Sequence, residues 1–488
     1  MSNSSDDRRW LALVLLCATQ FIVVLDVSIV NVALPSIQAS LDFDVRQLQW
    51  VASAYALTFG GFLLLGGRAA DLLGRRRVFI VGLVLFAGAS LACGLAPSSG
   101  FLIGSRAVQG LGAAIISPAA LSILTTTFEE GAERNKALGI WGAIAGLGGA
   151  AGVLLGGILT DAVSWEWIFF INVPIALGCA ALSPVLLKES RIDGMTRNFD
   201  VAGAVSVTGG LSLFVYALVG TDQHGWTSAR TLGLFAVAIG LLIAFVAIES
   251  RASQPLLPLR LFRSGTVTGA NVVGFLIGAS IFSMFFFLSL YMQEVLGYSP
   301  LRTGFAYLLV AVTIIISAAV SQVLVTRFGP RSVLATGMAL LTLGLLWFTQ
   351  VSVGGSYLVD LVPGFVLTGV GLGFSFVPDT IAALAGVRER DAGVASGLIN
   401  TSQQIGGALG VAALVTVATT TTSDDLANAG IHAQQPLVQL SAATDGFQAA
   451  FLWCAVMAAI GIVATLVLVR PPAAAETAPV GEPALSAE

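Results

Sequence analysis

The chain of 488 residues is 56% hydrophobic and only 10% charged, with a mean hydropathy of +0.91, far more apolar than a soluble core requires, so a bilayer is its natural solvent. A net charge of −4 and an isoelectric point near 5.3 leave no basic stripe to neutralise phosphates, which argues against a nucleic-acid partner. The four cysteines, Cys17, Cys93, Cys179 and Cys454, stand inside apolar runs without metal-ligand or disulfide spacing and read as small core residues.

A hydrocarbon core roughly 30 Å thick is crossed by about 20 apolar residues in helical conformation. After a polar stretch over residues 1–9, with no small-residue cleavage site behind the first apolar run, that run reads as a retained helix. Apolar segments then recur near 10–34, 49–67, 77–96, 101–126, 137–160 and 167–187, near 199–219 and 231–249, and near 266–292, 303–326, 332–351, 358–384, 393–420 and 446–469. The pattern is six, two, six. It predicts an all-α integral membrane protein of about fourteen spans: a six-helix bundle over 10–187, two additional helices with linkers over 188–265, a second six-helix bundle over 266–469, and a tail over 470–488 rich in Ala, Pro and Glu that cannot pack a core.

With both termini cytoplasmic, 19 Arg and Lys residues fall on the inner side and three, Arg46, Arg230 and Arg302, on the outer, leaving Arg106 within a span; this asymmetry predicts an even number of crossings with both ends inside. The excess of arginine over lysine fits a GC-rich bacterial genome. A repeat links the two blocks. Asp71-Leu72-Leu73-Gly74-Arg75-Arg76-Arg77 follows the second span and Thr326-Arg327-Phe328-Gly329-Pro330-Arg331 the tenth, with Gly and Arg at matching offsets. Such repeats are how many secondary transporters build a midplane site and rock one half against the other, although short inner loops also gather Gly and Arg for orientation alone.

Candidate functional residues follow in chain order. Asp26, within Leu25-Asp26-Val27-Ser28-Ile29-Val30-Asn31, is the clearest carboxylate inside a span. It reads as a group that exchanges a proton, or as a hydrogen-bonded Asp that shapes its helix. In the loop from Gly67 to Arg77, Gly67 and Gly74 allow a tight turn, and Asp71 can pair with Arg75, Arg76 and Arg77 or with a neighbouring helix dipole as a conformational latch. Arg106, within Leu102-Ile103-Gly104-Ser105-Arg106-Ala107-Val108-Gln109-Gly110, is costly in a membrane and so either functional or a helix-pinning group. In the fifth span Gly148, Gly152, Gly156 and Gly157 permit close helix approach and read as the surface on which the two halves slide. Asp379, beside Pro378 near the inner end of the twelfth span, reads as a second acidic coupling or substrate site or, more simply, as a solvated helix-end Asp. There is no phosphate-binding loop or metal-ligand cluster, and the two histidines, His224 and His432, fall in outer loops, so neither enzyme chemistry nor a metal or other cofactor is expected and the energy must come from an ion gradient.

The loop Gly67–Arg77 resembles the signature between the second and third helices of the major facilitator superfamily. The run around Arg106 resembles the family's fourth-helix motif, and Gly152-Val153-Leu154-Leu155-Gly156-Gly157 its antiporter motif, with Val153 where a proline is usual. Leu25–Pro35 resembles the first-helix signature of the fourteen-helix drug:proton antiporters. Trp165–Pro174 also follows a family run, with Glu166 where an Arg is usual. Further resemblances lie at Asp200–Gly203, Tyr291–Gly297 and Gly393–Thr401. The resemblance implies two six-helix bundles plus two linking helices, a bacterial cytoplasmic-membrane location, and a monomer among membrane lipids. It implies proton-coupled export of small lipophilic or amphipathic compounds such as drugs, antibiotics and dyes, with proton transfer at Arg106. The alternatives are an exporter dedicated to one endogenous metabolite and, more remotely, a non-transporting receptor or scaffold.

Overall fold

In the computed structural model every element among the described residues is helical; the structure describes residues 3–128, 132–190, 200–221, 225–252, 255–257, 259–385, 387 and 389–470. Arg191, Arg197, His224, Arg388 and the tail beyond Arg470 lie outside them. The first six helices are α1 (Asn3–Leu41), α2 (Val45–Leu73), α3 (Arg75–Gly94), α4 (Ser99–Thr127), α5 (Ala132–Ala162) and α6 (Trp167–Leu186). Then come α7 (Val201–Val219) and α8 (Ala229–Arg251), followed by α9 (Gly265–Val295), α10 (Pro300–Phe328), α11 (Pro330–Phe348), α12 (Tyr357–Leu384), α13 (Glu389–Ala429) and α14 (Pro436–Leu468). Among the described residues thirteen are long and apolar enough to cross a bilayer, and α5 carries the apolar stretch Leu147–Ala162 within its 31 residues.

The sequence marks many of the starts. Asp44, Ser98, Asp200, Ser228, Ser264 and Ser299 each accept a hydrogen bond from a first-turn amide of the helix they precede, satisfying donors that a helix leaves free. Pro300 and Pro330 sit in the first turns of α10 and α11, where a missing N–H costs nothing. The α2–α3 and α10–α11 corners turn on Gly74 (φ 109°) and Gly329 (φ 78°), a left-handed region that a Cβ disfavours. The two glycines of the repeated loops therefore occupy matching corners.

The repeat extends to the packing. In the first six helices α1 packs on α5 and α6, α2 on α4, and α3 on α4 and α6; in the second six α9 packs on α13 and α14, α10 on α12, and α11 on α12 and α14. Between the halves the pairings are exchanged, α2 against α13 and α5 against α10, as a two-fold relation between repeats requires. The added pair α7 and α8 pack on each other, and α7 lies over the α2–α13 seam, where Ala56, Leu57, Leu211, Val215, Ala408 and Ala412 form a small core.

One end of the bundle carries the basic loops. At the other end the halves share one core, in which Ile29, Val32 and Leu34 of α1 are continuous with Phe286, Phe287 and Tyr291 of α9, and the Gln293 amide donates to the Val32 carbonyl at 2.8 Å. Toward the basic end the first half has its own core, including Leu16, Phe79, Phe86 and Leu124.

Candidate functional site

Asp26, Arg106, Gln109, Ser90 and Asn172 form one buried polar network inside the first half, and all five are less than 2% exposed. Close approach of α4 to its neighbours places it there. A Cβ on Gly110 would lie 2.4 Å from the Tyr55 carbonyl of α2, and one on Gly112 would lie 2.9 Å from Phe86 of α3. Gln109 stands three residues after Arg106, on the same helix face. The Arg106 Nη1 donates to Asp26 Oδ2 at 2.6 Å and to Gln109 Oε1 at 2.6 Å, while its Nε donates to the Val51 carbonyl at 2.8 Å. Gln109 Nε2 donates to Asp26 Oδ1 (2.7 Å) and to Ser90 Oγ (2.8 Å), and Asn172 Nδ2 donates to Asp26 Oδ1 at 2.8 Å.

The Asp26 carboxylate thus accepts three side-chain hydrogen bonds, one from a guanidinium, and Arg106 lies 4.4 Å from the Tyr55 ring centroid and 5.6 Å from that of Phe169. Charge, hydrogen bonds and π-faces together compensate a pair that could not otherwise reside in an apolar interior. Among the described residues the Tyr55 hydroxyl and the Asn172 Oδ1 are buried without a partner. Five elements, α1, α2, α3, α4 and α6, converge here. Asp26 and Arg106 were identified from sequence as single charges in apolar runs. Ser90, Gln109, Asn172 and Tyr55 were not, and the available signal was a polar residue inside a span, with Gln109 on the face of Arg106.

The loop at the basic end is held within the first half. Arg75 bonds Asp71 Oδ1 through Nη2 (2.9 Å) and Nε (3.1 Å), and its amide donates to the Ser190 carbonyl at 2.9 Å. Arg76 donates from Nη1 to the Leu187 carbonyl at 3.2 Å, covering the C-terminal end of α6, a favourable place for a cation. Arg331 does the same in the second half, donating to the Leu466 carbonyl of α14. Glu189, absent from the sequence reading, accepts from the Arg76 amide and lies 3.7 Å from both Arg76 Nε and Arg77 Nε. The close helix approach before the loop falls on Gly66, where a Cβ would meet the Ala114 carbonyl at 2.2 Å, and Gly67 meets only Pro118 at 3.4 Å. Helix phase decides between adjacent glycines.

Two expectations are corrected. The fifth-span glycines do not form a common surface between the halves: Gly148, Gly152 and Gly156 face Phe21, Leu25, Ser28 and Ile29 of α1 in their own half, and only Gly157 meets α10, at Pro300. Four-residue spacing keeps the first three on one face, and Gly157 is rotated off it. Asp379 is not a solvated helix-end residue. It is 0% exposed, because α9 and α13 close over that part of α12, and among the described residues neither carboxyl oxygen has a hydrogen-bond partner.

Two repeated six-helix halves, the first of them enclosing a buried acid–guanidinium pair, define a membrane protein of the transporter type. The chain belongs to the Major Facilitator Superfamily, whose family model matches residues 16–411. It is 39% identical over 482 residues to the puromycin resistance protein pur8 of Streptomyces alboniger, a match covering 97% of this chain and 94% of that protein. It is 42% identical over 424 residues to the cephamycin export protein CmcT of Amycolatopsis lactamdurans, covering 86% and 87%, and 36% identical over 398 residues to the multidrug resistance protein Stp of Mycobacterium tuberculosis, covering 81% and 73%. Its fold is similar to that of a bacterial homologue of the human lysosomal transporter Spinster in an inward-facing, unoccupied conformation, with a TM-score of 0.66 at 16% identity over 96% of this chain and 99% of that one. A peptide transporter POT solved with sulfate gives 0.67 at 17% identity, over 94% and 93%.

Proposed function

We propose that this protein is a proton-driven antiporter that exports small lipophilic or amphipathic compounds, antibiotics among them, across the cytoplasmic membrane of a bacterium. In this reading it acts as a monomer with both termini cytoplasmic and without a cofactor, and the only chemistry it performs is proton binding and release. The observation that carries the reading is the enclosed Asp26–Arg106 pair at the meeting of five helices. An incoming proton on Asp26 removes the negative charge that holds Arg106 and frees α1 from its tie to α4. Loss of the proton on the cytoplasmic side restores the pair. The proton gradient is thereby coupled to the arrangement of the half, and the loop from Asp71 to Arg77, held by Glu189, serves as the cytoplasmic latch. Names of the relatives support the cargo class: puromycin resistance, cephamycin export and multidrug resistance.

The test is movement of ethidium into proteoliposomes with and without an imposed pH gradient, comparing wild type with Asp26→Asn. Gradient-dependent movement that disappears in the variant is the expected result; unimpaired movement in the variant would remove Asp26 from the coupling. A second reading, an exporter dedicated to one endogenous product, is favoured by the relative named for cephamycin alone. Resistance of a sensitive host to a panel of unrelated antibiotics separates the two, since a dedicated exporter protects against one chemical family only.

A further inference from the structure

Among the described residues three acids are buried within spans: Glu249, near the end of α8, accepts from the Leu257 amide, and the other two have opposite surroundings. Asp26 is compensated by a guanidinium and two amides, whereas Asp379, on α12 of the second half, is 0% exposed and both of its carboxyl oxygens lack a close hydrogen-bond partner among the described residues. No ion pair among the described residues includes it. The helices packed against α12 carry Glu294 and Arg302 at the end away from the basic loops, Arg327 and Arg331 at the basic end, Glu389, Arg390 and Asp391 at the start of α13, and Asp424 and Asp425 at its far end; none of Glu294, Arg302, Arg327, Arg331, Asp424 and Asp425 pairs with it. Its polar neighbour is the Gln403 amide of α13. An ionised carboxylate that no cation among the described residues balances, with a single amide beside it, is strongly unfavourable in such a place, so something must neutralise it.

The space around it decides what that is. A Cβ on Gly274 of α9 would lie 3.1 Å from Asp379 Oδ2 and 2.5 Å from Ile399 Cδ1, so even a methyl group has no room on that side. That side leaves no room for an organic ammonium, whereas a proton fits. We propose that Asp379 is a second proton-binding residue of the exporter, located in the half opposite the Asp26–Arg106 pair, and that it holds a proton in this conformation. The proposal rests on the proton-driven reading above and adds a residue to it.

The position of Asp379 also gives its proton a mechanical outlet. The stretch of α13 from Ile399 to Gln404 has Asp379 on one side and the first half on the other. The Thr401 hydroxyl donates to the Gly60 carbonyl of α2 at 3.1 Å, and a Cβ on Gly60 would stand 3.1 Å from Gln404 Cβ. When the proton leaves, the bare carboxylate needs donors, and Gln403 is the side chain placed to supply them. Turning Gln403 toward the carboxylate acts on the same turn of α13 that forms the seam with α2.

The experiment combines infrared spectroscopy of the full chain in lipid nanodiscs with ethidium transport in proteoliposomes, for wild type, Asp379→Asn and Gln403→Leu. Wild type at neutral pH should show the carbonyl band of a buried protonated carboxylic acid. Asp379→Asn should lose that band and lose gradient-driven ethidium movement, while keeping ethidium-for-ethidium exchange without a gradient. Gln403→Leu, which leaves the carboxyl in place, should move the band by removing its polar neighbour, and it carries the test if the Asn variant does not reconstitute. A carbonyl region identical in wild type and Asp379→Asn, a wild type without the band, or a band unmoved in Gln403→Leu would overturn the proposal. If the band behaves as expected but wild type moves no ethidium in either mode, the proton site stands and the multidrug reading falls.

Discussion

Arg106 and Asp26 are each other's counter-charge in a place closed to water, being 1% and 0% exposed. Breaking a buried pair from one side leaves an uncompensated charge, which costs about 3–5 kcal/mol, whereas replacing both partners by apolar groups is often near neutral. Arg106→Leu alone should therefore lower the unfolding temperature in detergent far more than Arg106→Leu combined with Asp26→Leu, while both variants lose gradient-driven export. The pair would then be non-additive in stability, as groups in contact are, and jointly required for coupling. Equal destabilisation by the single and double variants would show that the network tolerates an unpaired Asp26 and that the pair is not what holds α1 to α4.

Between residue and helix, small side chains decide how near Asp26 its neighbours come. A Cβ on Gly152 of α5 would lie 2.6 Å from Ser28 Cβ and 2.9 Å from the Leu25 carbonyl, on the turn that carries Asp26, whereas Gly88 on α3 faces open space. Gly152→Val should overpack the α1–α5 contact by about 1–3 kcal/mol and depress export by displacing Asp26, and Gly88→Ala should leave both properties unchanged; thermal unfolding and ethidium transport check the pair of variants. The helices themselves were legible in the sequence because each span repeats one compositional signal over some twenty residues, and the six-two-six order followed from that. Asp26 and Arg106 were legible because a charge in an apolar run has few explanations. Gln109, Ser90 and Asn172 were not singled out, since an uncharged polar residue in a span gives no sign of which neighbour it faces. The depth of Asp379 was also hidden. It stands five residues before the end of α12, and whether such a position is wet depends on how far α9 and α13 extend over it, a tertiary fact with no local signature.

For the molecule as a whole, the question is what holds the halves in the arrangement seen here. They join along α2–α13, which α7 covers, and along α5–α10. At the end away from the basic loops they also share an apolar core and the hydrogen bond from Gln293 to the Val32 carbonyl. That bond crosses from one half to the other between α9 and α1, so it exists only while this end is shut, and it therefore biases the equilibrium between the two arrangements without being needed to fold either half. A hydrogen bond contributes about 0.5–1.5 kcal/mol net, enough to move a two-state population by about two- to tenfold. Spin labels at Val163 after α5 and Ile431 after α13, exposed at this end on opposite halves, report the opening directly. Gln293→Ala should raise the fraction of long label-to-label distances by that factor with little change in unfolding temperature. An unchanged distribution would mean that the apolar core shared by α1 and α9 sets the closure alone, and that Gln293 serves only its own helix end.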